Sequence, residues 1–320
     1  MVVAVLVLAV GCVAFTNGAN ANFKGVASLY GSGTTSRRTA ALWGTAATFA
    51  GSLAALAVAV FLSAGLLTAF GGRGVVPDAL AASPHFLCAV ALGAALTSFV
   101  ATRVGMPVST THALVGALAG AGLASGESVR FGALGAQFVL PLVVSPVLAA
   151  ALGAGTCLLL RALKLAPDAR TRKLDVAHVL STGAASFARG LNDTPKMAAL
   201  LAAVPGAELW WAFLFVALGI ALGGVLDSAR VAETLGKKLT DMNPGQGFAS
   251  SLVTALLVGT ASLHSVPAST THVSVGALVG MGTAARRARW MKVWEVLFAW
   301  VSTAPCAAAL AALVLVLGRA

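Results

Sequence analysis

The sequence predicts an all-α polytopic membrane protein, built as two inverted-topology repeats with discontinuous helices or helical hairpins. Three observations predict it. First, 58% of the 320 residues are hydrophobic and only 10% are charged, with a mean hydropathy of +0.92. Soluble domains carry about 25% charged residues, so there is too little polar material here to coat a water-facing surface. Second, the apolar residues fall in long runs rich in Gly and Ala, the pattern of packed helices. They lack the apolar–polar alternation over about ten positions that marks barrel strands. Third, one polar stretch occurs twice: PVSTTHALVGALAG at Pro107–Gly120 and PASTTHVSVGALVG at Pro267–Gly280, identical at ten of fourteen positions.

The apolar runs are 2–32, 40–70, 83–102, 107–125 and 131–160, then 178–204, 209–227, 247–264, 267–283 and 290–318. VLVLAVGC, ending at Cys12, is loosely lipoprotein-like, but no Lys or Arg precedes it. It reads as the first helix rather than a cleaved peptide. The stretch RALKLAPDARTRKLD separates the two sets of five. The expected organisation is a first transmembrane repeat over 1–160, a basic cytoplasmic linker over 161–176 and a second, inverted repeat over 177–320. Cys12, Cys88, Cys157 and Cys306 lie in apolar runs without ligand spacing. They read as packing residues, not as disulfides or a metal site.

The net charge of +11 is explained without nucleic acid. With one crossing per run and the N-terminus outside, fifteen cations fall in inner loops: Arg37, Arg38, Arg103, Arg161, Lys164, Arg170, Arg172, Lys173, Arg230, Lys237, Lys238, Arg286, Arg287, Arg289 and Lys292. Only Arg73, Arg130 and Arg319 fall outside, a strong positive-inside bias. An odd number of crossings per half inverts one half relative to the other. That is a common transporter design, with the site at the repeat interface near the midplane. The runs 107–125 and 267–283 are short and begin at Pro, which also suits re-entrant hairpins.

Lys24, Arg189 and Lys196 lie within apolar runs, where a central charge costs about 2.5–3.5 kcal/mol on insertion scales. Aligning Gly18-Ala-Asn-Ala-Asn-Phe-Lys24 with Gly190-Leu-Asn-Asp-Thr-Pro-Lys196 matches Asn20 to Asn192 and Lys24 to Lys196. Interhelical hydrogen bonding explains a single Asn, but a repeated Asn-x₃-Lys pattern favours a site. Gly18, Gly25, Gly190 and Pro195 favour breaks in these helices, which expose backbone groups for binding.

Pro-x-Ser-Thr-Thr reads as a helix start inside the membrane. Its free N–H groups and dipole favour an anion, and the hydroxyls of Ser109, Thr110, Thr111, Ser269, Thr270 and Thr271 add donors. Two such ends facing each other suit a tetrahedral oxyanion. Ordinary capping is the bland alternative. Gly116 and Gly120 follow His112 at steps of four, as Gly276 and Gly280 follow His272, which permits close helix contact. The two histidines read as supporting hydrogen-bond partners or proton carriers.

These residues resemble the PiT family of inorganic phosphate transporters along nearly the whole chain. Both Pro-x-Ser-Thr-Thr-His signatures are intact, and GKKLTDMNPGQGFAS at Gly236–Ser250 is similar to the family's second half. The resemblance implies cotransport of phosphate with cations. It puts the anion among Ser109, Thr110, Thr111, Ser269, Thr270 and Thr271, with contacts from Asn20 and the Asn192–Asp193 pair. The expected protein is a permease of the bacterial inner membrane, not an enzyme and needing no cofactor; the loop charges put both termini outside. The family's first-half Asp is Ala21 here, and its later Asn is Lys24 in one half and Lys196 in the other. Only Asp193 remains as a sodium ligand candidate. These departures suggest that Lys24 and Lys196 act as tethered cations in sodium's place, with coupling to protons or none. Snorkelling of both lysines to an interface is the alternative.

Expected partners are inorganic phosphate or a related oxyanion, a proton or sodium ion, the lipid bilayer and a second copy of the chain. Sulfate or another tetrahedral oxyanion is the second reading, because Asp193 alone can accept a proton from HPO₄²⁻. An intramembrane hydrolase using Ser109–His112 or Ser269–His272 is a remote third, since such pairs need a third group and an oxyanion hole. A channel or a purely structural membrane protein is a further reading; the duplicated polar segments at membrane depth argue against a structural role.

Overall fold

The computed structural model describes residues 1–62, 64–165, 170–204 and 206–318; Arg319 and part of the expected linker lie outside the described residues. In the first half the helices are α1 (Val2–Ala21), α2 (Phe23–Gly31), α3 (Arg37–Phe61), α4 (Gly65–Phe70), α5 (Asp78–Ala81), α6 (Pro84–Arg103), α7 (Thr110–Ser125), α8 (Phe131–Leu134) and α9 (Leu140–Ala162). In the second half they are α10 (Arg172–Ala202), α11 (Leu209–Leu226), α12 (Ala229–Glu233), α13 (Pro244–Leu263), α14 (Thr270–Ala284) and α15 (Trp290–Leu317). Wider π-turns occupy Gly135–Val139 and Thr234–Lys238.

Seven helical spans among the described residues are long and apolar enough to cross a membrane. Large apolar side chains such as Leu8, Phe61, Val143, Phe298 and Val301 cover the outside of the bundle, as a lipid-facing surface requires. Cys88 is buried, whereas Cys12 and Cys306 are exposed on that outer surface.

The duplication reappears as reciprocal packing. Helix α3 packs on α10 as α11 packs on α1; α6 packs on α1 as α13 packs on α10; α7 packs on α15 as α14 packs on α9. This exchange of partners is consistent with inverted repeats. The repeated glycines explain the last pair. A Cβ on Gly116 or Gly120 would lie 2.3 or 2.2 Å from the carbonyl oxygen of Ala304 or Ala308. On Gly276 or Gly280 it would lie 2.6 or 1.9 Å from that of Pro146 or Ala150. Only glycine lets these helices touch backbone to backbone.

The loops expected on the inner side gather at one end of the bundle. Arg37 lies near Glu233, Arg103 pairs with Asp227, and Arg170 reaches the carbonyls of Gly33 and Thr34. We refer to this end as the basic face. The other end brings Met1 and Val2 together with Ser83, His85 and Gly318.

The breaks fall elsewhere than the glycines suggested. Helix α10 runs unbroken through Gly190 and Pro195. Between α1 and α2 only Asn22 intervenes; it keeps helical dihedrals, and its N–H still bonds Gly18 O at 3.1 Å. The reason is packing. A Cβ at Gly18 would meet Ile220 O at 2.0 Å, and one at Gly190 would meet Thr48 O at 2.2 Å, so these glycines serve close approach. A break here would strand backbone groups away from water. The breaks lie instead at 104–109 and 264–269, where α6 turns into α7 and α13 turns into α14. Helices α7 and α14 have 16 and 15 residues. At a rise of about 1.5 Å per residue each is too short for a hydrocarbon core of about 30 Å. Each half therefore carries a hairpin whose second arm begins inside the bundle.

Candidate oxyanion site at the hairpin tips

The two hairpin tips meet. Ser109 caps α7 by accepting a hydrogen bond from His112 N at 3.2 Å, and Ser269 caps α14 from His272 N at the same distance. Pro107 and Pro267 precede the caps in extended chain rather than sitting in the first turn. Capping leaves the first-turn N–H groups of Thr110 and Thr111, and of Thr270 and Thr271, without partners in their own helices. Across the contact, Thr111 Oγ1 donates to Ala268 O at 3.3 Å and Thr271 Oγ1 donates to Val108 O at 2.9 Å. Two positive helix ends thus point into one space, an arrangement that attracts anions.

The intramembrane lysines join the same two carbonyls. Lys24 Nζ donates to Val108 O at 2.7 Å, and Lys196 Nζ donates to Ala268 O at 2.7 Å. Lys196 also reaches Thr111 Oγ1 at 3.0 Å and Asp193 Oδ1 at 3.2 Å. Both are buried, 4% and 1% exposed, so neither snorkels to an interface.

Asparagines hold the tips to α1 and α10. Asn20 donates to Thr102 Oγ1 and Met106 O and accepts from Val108 N. Asn192 donates to Ala268 O and to Asp193 Oδ1, both at 3.1 Å. Its Oδ1 is buried without a partner, an unused acceptor at the tip contact.

Asp193 faces a ring of donors. Lys196 and Asn192 bond Oδ1; Asn17 bonds Oδ2 at 3.2 Å and Thr270 at 3.4 Å, and Arg189 Nε lies 3.6 Å away. Two residues of this ring, Arg189 and Asn17, stand outside the expected site. Arg189, 2% exposed, donates to Thr48 Oγ1 at 3.1 Å and to Asn17 Oδ1 at 2.9 Å, and Asn17 also donates to Thr110 Oγ1. The signal was present: Arg189, Asp193 and Lys196 stand at i, i+4 and i+7, one helix face. With its lysines protonated, the centre sets three cations against one carboxylate and holds two net positive charges.

The histidines sit behind the tips. Their rings are 4.6 Å apart, and His272 stacks on Trp300 at 4.0 Å while its Nδ1 donates to Leu142 O. Trp300 Nε1 donates to Pro107 O, bracing the first tip from α15.

Fold and site together define a polytopic membrane protein with an anion-attracting polar centre enclosed by two facing hairpins. The chain belongs to the phosphate transporter family, whose model matches residues 17–177 and 164–311. It is 30% identical over 259 residues to a probable low-affinity inorganic phosphate transporter of Rhizobium meliloti (strain 1021), covering 76% of each chain. It is 27% identical to one of Mycobacterium tuberculosis (strain ATCC 25618 / H37Rv), over 92% of this chain and 72% of the relative. A solved structure described as the sodium-dependent phosphate transporter shares the fold, with a TM-score of 0.84 and 24% identity over 99% of both chains.

Proposed function

We propose that this chain is an inorganic phosphate permease working by alternating access. Repeats 1–160 and 177–320 rock about the hairpin tips, joined by the linker 161–176. The chain resides in a cytoplasmic membrane with its basic face inward and both termini outward. The anion lies between the two helix starts and takes hydrogen bonds from Ser109, Thr110, Thr111, Ser269, Thr270 and Thr271. Asn20 and Asn192 hold the tips in register. Lys24 and Lys196 supply the charge that a bound alkali cation would supply, and Asp193 keeps the centre's positive charge from exceeding that of a dianion's partner.

One observation carries this reading: each lysine ammonium sits on the carbonyl just before a hairpin helix. Backbone carbonyls at membrane depth are ligands for hard cations, and here a tethered ammonium engages each of them. The proposed carrier is therefore sodium-independent, with protons as the coupling ion.

Sulfate is the second reading, favoured by the crowding of Asp193. Its oxygens already accept from protein donors, which limits their use for the proton of HPO₄²⁻. Hydrolysis is disfavoured because Ser109 Oγ and Ser269 Oγ face their own helix backbones as caps. Competition in proteoliposomes separates the substrates. Labelled phosphate uptake is expected to fall with unlabelled phosphate or arsenate and to resist equimolar sulfate. Stronger competition by sulfate than by phosphate would reassign the substrate.

A further inference from the structure

The surroundings of the two lysines differ, and the difference is built into the sequence. Lys24 borders a small cavity of about 10 Å³, room for about one water, lined by Ser28, Ser250, Ser251, Thr254 and Ser274. Ser274 Oγ is buried without a partner. From Ser251 a continuous chain of hydrogen bonds leads outward. Ser251 Oγ meets Ser28 Oγ at 2.7 Å, Ser28 Oγ meets His178 Nε2 at 2.8 Å, His178 Nδ1 meets Thr34 Oγ1 at 3.2 Å, and Thr34 Oγ1 meets Ser32 Oγ at 2.8 Å. Ser251, Ser28 and His178 are buried, while Thr34 and Ser32 are half-exposed in the loop between α2 and α3 at the basic face. Each link joins two groups that can both donate and accept, so the chain can reverse its polarity.

The repeat alignment supplies an internal control. The matches Asn20–Asn192 and Ser109–Ser269 set Ser28 opposite Leu200, His178 opposite Leu6, Ser250 opposite Val90, Ser251 opposite Ala91, Thr254 opposite Ala94 and Ser274 opposite Leu114. All six counterparts are buried in the apolar cluster on the Lys196 side of the bundle. Helix packing alone is satisfied there by apolar residues. Interhelical hydrogen bonds explain single hydroxyls, but not a one-sided file of them that ends at a cavity bordered by Lys24 and includes a buried imidazole.

We propose that Thr34, His178, Ser28 and Ser251 form a proton relay between the basic face and Lys24. A proton from water at the loop enters through Thr34. His178 takes it at Nδ1 while releasing the proton on Nε2 to Ser28, which passes one on to Ser251. A hydroxyl or a single water in the cavity completes the transfer to the neutral Lys24 amine, giving the ammonium; deprotonation runs the same path in reverse. No bond other than O–H and N–H is made or broken. The centre carries two net positive charges when Lys24 is protonated and one when it is neutral, so the relay switches the pull on a dianion. This rests on the proposed reading of protons as the coupling ion.

The charged groups around His178 fit such a path. Its own helix brings Asp175, one turn away and paired with Arg170 at 2.8 Å. Arg170 also binds the carbonyl of Thr34. From α2 the nearest charge is Lys24, one turn before Ser28, and α13 presents Gly247, whose added Cβ would lie 2.6 Å from the imidazole. Asp175 stands on the entry side and draws protons toward the mouth.

The test uses full-length protein in sodium-free proteoliposomes, with His178→Gln and Ser28→Ala. Two readouts are taken: phosphate accumulation driven by an imposed inside-alkaline gradient, and phosphate–phosphate exchange at equal pH. Wild-type protein is expected to accumulate phosphate, and both variants to lose gradient-driven accumulation by about a hundredfold while exchange stays at the wild-type rate. Retained exchange also shows that the variant is folded. Gradient-driven accumulation unchanged in both variants would overturn the relay. So would loss of exchange together with accumulation in both, which would put the chain on the substrate's own route. If wild-type protein itself ignored the gradient, the proposed reading of protons as the coupling ion would fail first.

Discussion

Replacing Lys196 with methionine is expected to abolish phosphate uptake at the concentrations that saturate the wild type. Methionine keeps the apolar length of the side chain but removes the ammonium from Ala268 O, Thr111 Oγ1 and Asp193 Oδ1. Removing one partner from a buried, hydrogen-bonded charge pair costs about 2–5 kcal/mol, so Kd for phosphate should rise by roughly thirtyfold to a few thousandfold. The fold should survive, because Asp193 keeps Arg189 beside it and Asn17, Asn192 and Thr270 as donors. The centre then holds one net positive charge instead of two. Residual uptake should therefore shift toward acid pH, where phosphate is a monoanion. Isothermal titration of the purified variant and the pH profile of uptake measure these two effects. Unchanged affinity would remove Lys196 from the site.

Asp193→Asn is expected to separate binding from turnover. Its amide matches the carboxylate in shape but leaves Lys24, Arg189 and Lys196 buried without an anion. Breaking a buried charge network by removing one partner costs about 3–5 kcal/mol, which should appear as a lower thermal midpoint in detergent. Added phosphate should restore more of that midpoint than in wild type, because the dianion now balances a larger positive charge. Release should be slow for the same reason, so binding persists while uptake falls. Loss of phosphate binding in this variant would show that the carboxylate contacts the substrate, not merely the cations.

The duplicated hairpin was legible in the sequence because its signals are local. Ser before Thr-Thr-His at membrane depth marks a cap, and glycines four apart mark backbone contact; both act through helix geometry. The continuity of α10 was not legible. Gly190 and Pro195 have the same local preferences whether they end a helix or admit a neighbour. The choice was made by Thr48 and Ser52 of α3, which lie against Gly190 and are far away in sequence. Arg189 stands between these cases. Its spacing to Asp193 and Lys196 put it on the site face, and an apolar surrounding obscured it. His178 gave no motif; its meaning depends on Ser28 and Thr34, 150 and 144 residues away. The departures at Ala21, Lys24 and Lys196 were legible as departures. Their shared engagement of the two tip carbonyls needed the three-dimensional arrangement.

In the proposed mechanism tethered cations, not bound sodium, hold the anion at the hairpin tips. Equilibrium binding of labelled phosphate to the purified protein tests it most directly, in choline buffer and again after sodium is added at constant ionic strength. The same affinity in both buffers is the predicted result. Binding that appears only when sodium is present would contradict it.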